Sequence, residues 1–336
     1  MTIGVGIIGA GRIGRVHADA LTPRVPEAKV MAIADVSPQA AQAAAERYRI
    51  PQATNDYREV LNHPDIEAVV ICSSTDTHSQ FITEAAQAGK HIFCEKPVDF
   101  DLKRIDDALE AVEKVGVKLQ IGFNRRFDAN HARVRQAVQN GEIGKPHLLH
   151  IISRDPAPPP IEYIRVSGGM FLDMTIHDFD MARFLIGSEV EEIYATAGVL
   201  VDPAIGREGD VDTALITLKF ANGVLGMIDN SRQAVYGYDQ RVEVFGSKGS
   251  ARTENRYANA VTISDTTTVR RDLPLNFFMD RYTDSYVAEM QVFVEAVANN
   301  TPVPVSGIDG RIPVVMGLAA RKSYQENRPV RLSEIG

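Results

Sequence analysis

The 336-residue chain has only two cysteines, Cys72 and Cys94, and each closes an apolar run. Two isolated thiols in such settings exclude a disulfide-stapled scaffold and suit small buried residues in a reducing compartment. Long hydrophobic stretches are missing too: no segment approaches the roughly 20 apolar residues that span a bilayer. The first residues already read as a strand rather than a charged segment leading into a long apolar one, so no signal peptide is expected and the expected location is the cytoplasm. Basic runs are absent as well, Arg125 and Arg126 being only a pair, and the net charge is -8. Such a surface repels a phosphate backbone, which argues against nucleic acid as a partner. With 44% hydrophobic and 24% charged residues the chain has the makeup of a folded globular protein, not a disordered one.

What is present divides near Phe123. Before it, the apolar runs "IGVGIIG", "KVMAIAD", "AVVICSS", "HIFCEKP" and "KLQIGF" alternate with amphipathic stretches such as Asp56 to Leu61, Gln80 to Ala88 and Leu102 to Val115. Strands apolar throughout are buried on both faces, and their alternation with helices predicts a doubly wound α/β domain with a parallel sheet over residues 1–123. After it come a helix from Ala129 to Gln139, the strand "HLLHIIS", the proline-rich connection "RDPAPPP", and then "DTALITLKF", "GVLGMIDN", "RVEVFGSKG" and "NAVTISD" between turn signals. Consecutive strands of this kind predict an α+β domain over 124–336 with a mostly antiparallel, open-faced sheet. In "DTALITLKF" one face is Ala214, Ile216, Leu218 and Phe220, while the other mixes Thr213, Leu215, Thr217 and Lys219; the mixed face reads as a subunit interface. Helices from Tyr282 to Asn299 and Arg311 to Glu326 close the chain and can pack back on the first domain.

"GAGRIG" places Gly9, Gly11 and Gly14, with Arg12 and Ile13 between them, at the junction of the first strand and the first helix. The first glycine permits a tight turn, the second lets a pyrophosphate approach the backbone, and the third lets helix and strand pack closely. Asp35 ends the next strand, where a carboxylate accepts the ribose hydroxyls and repels a 2′-phosphate, so the cofactor is expected to be NAD. Arg12 argues the other way, since a guanidinium serves a phosphate.

Two further motifs carry chemistry. "CEKPV", Cys94 to Val98, lies just past the carboxyl end of a strand, the edge where open α/β sheets bind ligands. Spacing alone leaves Glu95 and Lys96 open to being an ordinary ion pair. "LDMTIHDFD" spaces Asp173, His177 and Asp180 onto one face of a helix, an arrangement that suits either a metal site or acid/base work. Lys96 in the crevice would repel a cation, so no metal is expected. His17 and His91 read as structural.

Taken in order, "GAGRIG", "STDTHSQFITEAAQAGKHIFCEKPV" and "GGMFLDMTIHDFDMARFLIG" resemble the Gfo/Idh/MocA family of nicotinamide-dependent sugar and polyol oxidoreductases over essentially the whole chain. "GFNRRFD", "YGYD" and Asp35 are most similar to its inositol 2-dehydrogenase members. The resemblance implies a Rossmann first domain and carries the family's catalytic lysine, aspartate and histidine onto Lys96, Asp173 and His177. It assigns substrate contacts to Lys96, Arg126, Asp155, Asp173, His177, Asp180 and Tyr236. Cofactor contacts fall on the glycine turn, Asp35, Ser73, Ser74, Thr75, His78, Glu95 and Lys96. One departure is "SRDPAPPP", a segment that differs among polyol-specific members and that shapes the pocket.

Oxidising an alcohol removes a hydride from carbon and a proton from oxygen, and the protein must supply a base that titrates near neutrality. His177 is expected to take that proton, Lys96 to hydrogen-bond the same oxygen, and Asp173 to bind the neighbouring hydroxyl and hold the imidazole. The expected reaction is NAD-dependent oxidation of a cyclic polyol, myo-inositol first, to the 2-ketone by a homo-oligomer, a dimer or tetramer. Alternatives are an aldose dehydrogenase, a redox-neutral glycosidase that retains its NAD, a silent NAD-responsive regulator, and a metal-dependent isomerase or hydrolase.

Overall fold

The computed structural model describes residues 2–336. Six strands, β1 (Ile3–Ile8), β2 (Ala28–Ala34), β3 (Gln52–Thr54), β4 (Ala68–Ile71), β5 (His91–Glu95) and β6 (Leu119–Gly122), form an all-parallel sheet in the order β3-β2-β1-β4-β5-β6. That is the Rossmann order, with β1 and β4 side by side where the strand order reverses. Every residue of β1 and β4 is buried, as expected for strands covered on both faces. Helix Leu102–Val115 is bounded at both ends by local chemistry. Asp101 accepts the Arg104 N–H at its start, and Gly116 ends it in the left-handed region. The short β3 escapes a search for apolar runs because all of Gln52–Thr54 is half-buried.

The second sheet has seven strands in the order β12-β11-β7-β10-β9-β8-β15: β7 (Pro146–Arg154), β8 (Val190–Gly198), β9 (Thr213–Phe220), β10 (Leu225–Ser231), β11 (Asp239–Gly246), β12 (Gly249–Arg252) and β15 (Val330–Arg331). Only the β7·β10 pair is parallel, so the sheet is mostly antiparallel. In β9, Ala214, Ile216, Leu218 and Phe220 are buried while Leu215, Thr217 and Lys219 are exposed, giving one core face and one bare face. The register lines up Leu225, Leu148 and Phe245 across that bare face.

One strand expectation changes, and one strand is added to those expected. "NAVTISD" does not join the sheet: β13 (Thr262–Ser264) pairs only with β14 (Val269–Arg271), in a two-stranded ribbon whose residues are all exposed and so have no inner face to bury. Strand β8 is not evident from alternation because a register shift between Val190 and Glu192 breaks its phase.

The closing helices are Phe278–Ala298 and Gly307–Glu326. The chain divides into two compact units, Met1–Phe127 with Asp284–Val314 and Asp128–Thr283 with Val315–Gly336, each returning to the chain's last third. Met290, Phe293, Val294 and Val297 thereby share a core with Ile3, Val5, Ile7 and Phe93 in the first unit. Cys72 and Cys94 lie buried in that unit as free thiols. Among the described residues no helix is long and apolar enough to cross a membrane.

Candidate active site

In the first unit the glycine turn has the three properties its spacing implies. Gly9 sits at φ +107, and a Cβ there would stand 2.5 Å from the Cys72 carbonyl oxygen. At Gly14 a Cβ would fall 1.9 Å from the Gly9 oxygen, so helix Arg12–Arg24 can lie this close only with glycine. Gly11 differs, since a Cβ would meet nothing within 4 Å and no side chain caps the helix start. An open helix N-terminus of this kind is a cradle for a pyrophosphate. Asp35 accepts the Ala10 N–H at 2.7 Å on one oxygen and the Ser37 N–H at 2.9 Å on the other. A carboxylate pinned this way keeps a lone pair on each oxygen for ribose hydroxyls. These residues fit an adenine dinucleotide.

The loop after β4 is tied down from within. Ser73 Oγ and Thr77 Oγ1 are 2.7 Å apart, and His78 places its ring nitrogens 2.8 Å from the Pro97 oxygen and 3.0 Å from the Ser73 oxygen. His78 is buried, and burial lowers its pKa despite the carbonyls that favour the cation. Its ring therefore joins the loop after β4 to the segment after β5. Ser74 is exposed and Thr75 half-buried, as is Lys96, whose bond to Pro97 is cis. Glu95 turns inward, its Oε1 2.7 Å from His17 Nε2 and its Oε2 accepting the Lys96 N–H at 3.3 Å. Arg126 belongs to this unit and donates to Asp309 Oδ1 at 3.0 Å.

The second unit holds Asp155, Asp173, His177, Asp180 and Tyr236. Asp173 and His177 do not share one regular helix. Helix Met170–Asp173 ends, the Thr175 N–H reaches back to the Met170 oxygen, and a new helix runs Ile176–Ile186. The break is held by a buried chain: Thr175 Oγ1 donates to Asn230 Oδ1 at 2.6 Å, and Asn230 Nδ2 donates to Asp178 Oδ2 at 2.8 Å. Asp178, which has no evident role in the sequence, thus anchors the new helix to β10.

Asp173 accepts the Tyr163 hydroxyl at 2.8 Å on Oδ1 and Arg232 Nη1 at 3.4 Å on Oδ2. Arg232, 1% exposed, also brings Nη2 within 3.5 Å of Asp210 Oδ2. Asp210 in turn accepts the Met170 N–H on both oxygens, an approach that the missing side chain of Gly169 permits, since a Cβ there would stand 2.8 Å from Asp210 Oδ1. One buried guanidinium thus spans two carboxylates, and a cation already stands where a metal would need its ligand. Tyr163, Asp210, Asn230 and Arg232 are functional candidates missed by sequence reasoning; only the glycine pair before Met170 hints at a close approach.

Tyr236 donates its hydroxyl to Asp239 Oδ2 at 2.6 Å and accepts Arg154 Nη1 at 3.1 Å. Burial pushes the Asp239 carboxyl up, but Arg241, Tyr236 and Asn255 bring it below the usual carboxylate range. Asp155 is half-buried, its backbone tied to Ser231 and Ala234. Because β7 and β10 are parallel, Asp155 and Arg232 follow the same edge of the sheet, with Asp239 opposite Arg154. Asp180, on the helix Ile176–Ile186, is 1% exposed.

Two family models match the chain: the oxidoreductase family with an NAD-binding Rossmann fold over residues 3–123, and the GFO/IDH/MocA C-terminal domain over residues 131–252. A myo-inositol 2-dehydrogenase of Thermotoga maritima is 50% identical, covering 98% of this chain and 99% of its own. The crystal structure of a probable dehydrogenase from Thermotoga maritima superposes with a TM-score of 0.98 at 49% identity, covering 99% of this chain and 100% of its own. A myo-inositol dehydrogenase from Lactobacillus casei, crystallised with NAD(H) and myo-inositol, matches at a TM-score of 0.88 and 27% identity, covering 98% and 97%.

Proposed function

Because the chain belongs to the GFO/IDH/MocA family of NAD-binding oxidoreductases, we propose that it oxidises myo-inositol at its axial hydroxyl to the 2-ketone. The observation that carries this reading is the likeness, across nearly the full length of both chains, to a myo-inositol 2-dehydrogenase. Bound at the glycine turn and Asp35, NAD would supply the acceptor for the hydride that leaves the carbinol carbon. The remaining work falls to the chain's own residues. The imidazole of His177 takes the hydroxyl proton, and the ammonium of Lys96 hydrogen-bonds the same oxygen. Asp173 accepts a hydrogen bond from the neighbouring hydroxyl, and its links to Arg232 and Tyr163 support that role by fixing the direction of its oxygens. Arg126, Asp155 and Tyr236 complete the polyol contacts, and Ser73, Ser74 and Thr75 line the cofactor.

Residues 1–123 bind the cofactor and 124–336 the substrate, and the enzyme works in the cytoplasm. It assembles as a homo-oligomer through the bare sheet face, where Leu148, Leu215, Leu225, Met227 and Phe245 stand exposed around Thr217 and Lys219. Light scattering on the wild type and on Leu215→Arg is expected to show an oligomer and a dissociated form, and a monomeric wild type removes the assembly. Steady-state rates on a panel of inositols and aldoses with NAD and NADP test the reaction. Myo-inositol with NAD is expected to give the highest kcat/KM; inert inositols with active aldoses would transfer the reading to an aldose dehydrogenase.

A further inference from the structure

The segment "SRDPAPPP" leads into a strap, residues 155–169 of the second unit, that is fastened at both ends. At its start the Asp155 N–H donates to the Ser231 oxygen at 2.9 Å, and the Asp155 oxygen accepts the Ala234 N–H at 2.6 Å. Towards its end Arg165 clamps Glu208 with two hydrogen bonds, of 3.0 and 2.8 Å, and Arg321 donates to the Gly168 oxygen. Between these ties Pro156, Pro158, Pro159 and Pro160 each hold φ fixed, so the strap is stiff. It delivers one turn of helix, Ile161–Ile164, whose last residue is buried while its neighbour Tyr163 is 46% exposed.

An exposed tyrosine is ordinarily a solvated surface residue. Tyr163 departs from that because its hydroxyl donates to Asp173 Oδ1 at 2.8 Å. A carboxylate accepts about four hydrogen bonds, so Asp173 can hold Tyr163, Arg232 and a substrate hydroxyl together. A polyol oxygen on Oδ1 would then stand no more than about 6 Å from the Tyr163 hydroxyl oxygen, twice a hydrogen-bond length. The phenol is thereby within contact of a six-membered polyol ring whose hydroxyl Asp173 accepts.

We infer that Tyr163 contacts the substrate and sets its stereochemical class: its ring packs on a C–H face of a cyclic polyol, while its hydroxyl keeps Asp173 turned to the hydroxyl beside the one oxidised. Myo-inositol carries its single axial hydroxyl on one face and only axial C–H bonds on the other, an apolar patch that an aromatic face covers. A polyol with an axial hydroxyl on that other face as well would bury it against the ring without a partner. The stiffness of the strap makes the ring a fixed wall that rejects such a polyol. The inference rests on the reading of Asp173 as a polyol ligand.

Steady-state kinetics with NAD on myo-inositol and on chiro-inositol, which has an axial hydroxyl on each face, test it. A contact made equally in the ground and transition states is read in KM. Tyr163→Ala is expected to raise KM for myo-inositol about tenfold, to change kcat less than about threefold, and to narrow the preference for myo- over chiro-inositol about tenfold. Tyr163→Phe keeps the wall and is expected to hold that preference while raising KM about threefold. NAD affinity by calorimetry is expected to be unchanged in both. An Ala variant with unchanged KM and preference overturns the contact. A loss confined to kcat, or a parallel loss of NAD affinity, overturns it too, since a merely structural tyrosine would give either. A wild type that oxidises aldoses and leaves inositols inert overturns the inositol reading instead, and the KM of Tyr163→Ala for that aldose still reports on the contact.

Discussion

The carboxyl edge of the first sheet and the corresponding edge of the second handle charge in opposite ways. At the first, the ligand-facing groups are backbone N–H groups and open space around Gly11, and the carboxylate of Asp35 is held by main-chain donors. Behind that edge the buried carboxyl group of Glu95 meets the imidazole of His17. At the second, four carboxylates have a guanidinium: Asp173 and Asp210 share Arg232, Asp229 has Arg154, and Asp239 has Arg241. An anionic dinucleotide calls for uncommitted donors and room. A neutral polyol calls for fixed acceptors and donors that stay charged in a partly dry pocket, and paired ions supply both. The contrast fits the proposed division, with an anionic cofactor at the first edge and a neutral polyol at the second.

Substitutions on either side separate the two roles. The largest effect is expected from Lys96→Ala and His177→Ala. Each should lower kcat by roughly 10² to 10⁴ while NAD binding, read by calorimetry because the chain has no tryptophan, stays intact. Normal turnover in either would remove the assigned role. Next is Arg232→Ala, which strands Asp173 and Asp210 without their cation and should cost about 3 kcal/mol in urea unfolding. A loss below ~1 kcal/mol would mean that solvent, not Arg232, carries those carboxylates. The smallest is Asp35→Ser, which removes one charged acceptor and should raise the NADP to NAD ratio of kcat/KM by about tenfold with little change in stability. An unchanged ratio would take the ribose away from Asp35.

The same contrast decides how much was legible in the sequence. The nucleotide turn is legible because Gly9, Gly11 and Gly14 fall within six residues of one another, and strand burial on both faces writes itself as apolar runs, so the doubly wound parallel sheet follows from pattern, the half-buried β3 excepted. Lys96, Asp173 and His177 were singled out by motif. The groups that hold them were not, because their partners are remote: Arg232 meets Asp173 at a separation of 59 residues, Asn230 meets Asp178 at 52, and Glu95 meets His17 at 78. Nothing near "SRQA" marks an arginine that will be buried between two aspartates. The broken helix in "LDMTIHDFD" was missed for the same reason, since Thr175 and Asp178 take their geometry from Asn230.

The two cysteines have a practical consequence. Both thiols are enclosed by the first core, and burial pushes them well above their ordinary range, so neither offers the thiolate that alkylating reagents attack. A single cysteine introduced at Val235, 84% exposed and next to Tyr236, would be the one reactive thiol on the chain. A fluorophore attached there would watch the loop that carries Tyr236 in an otherwise unaltered enzyme, with no background label to subtract.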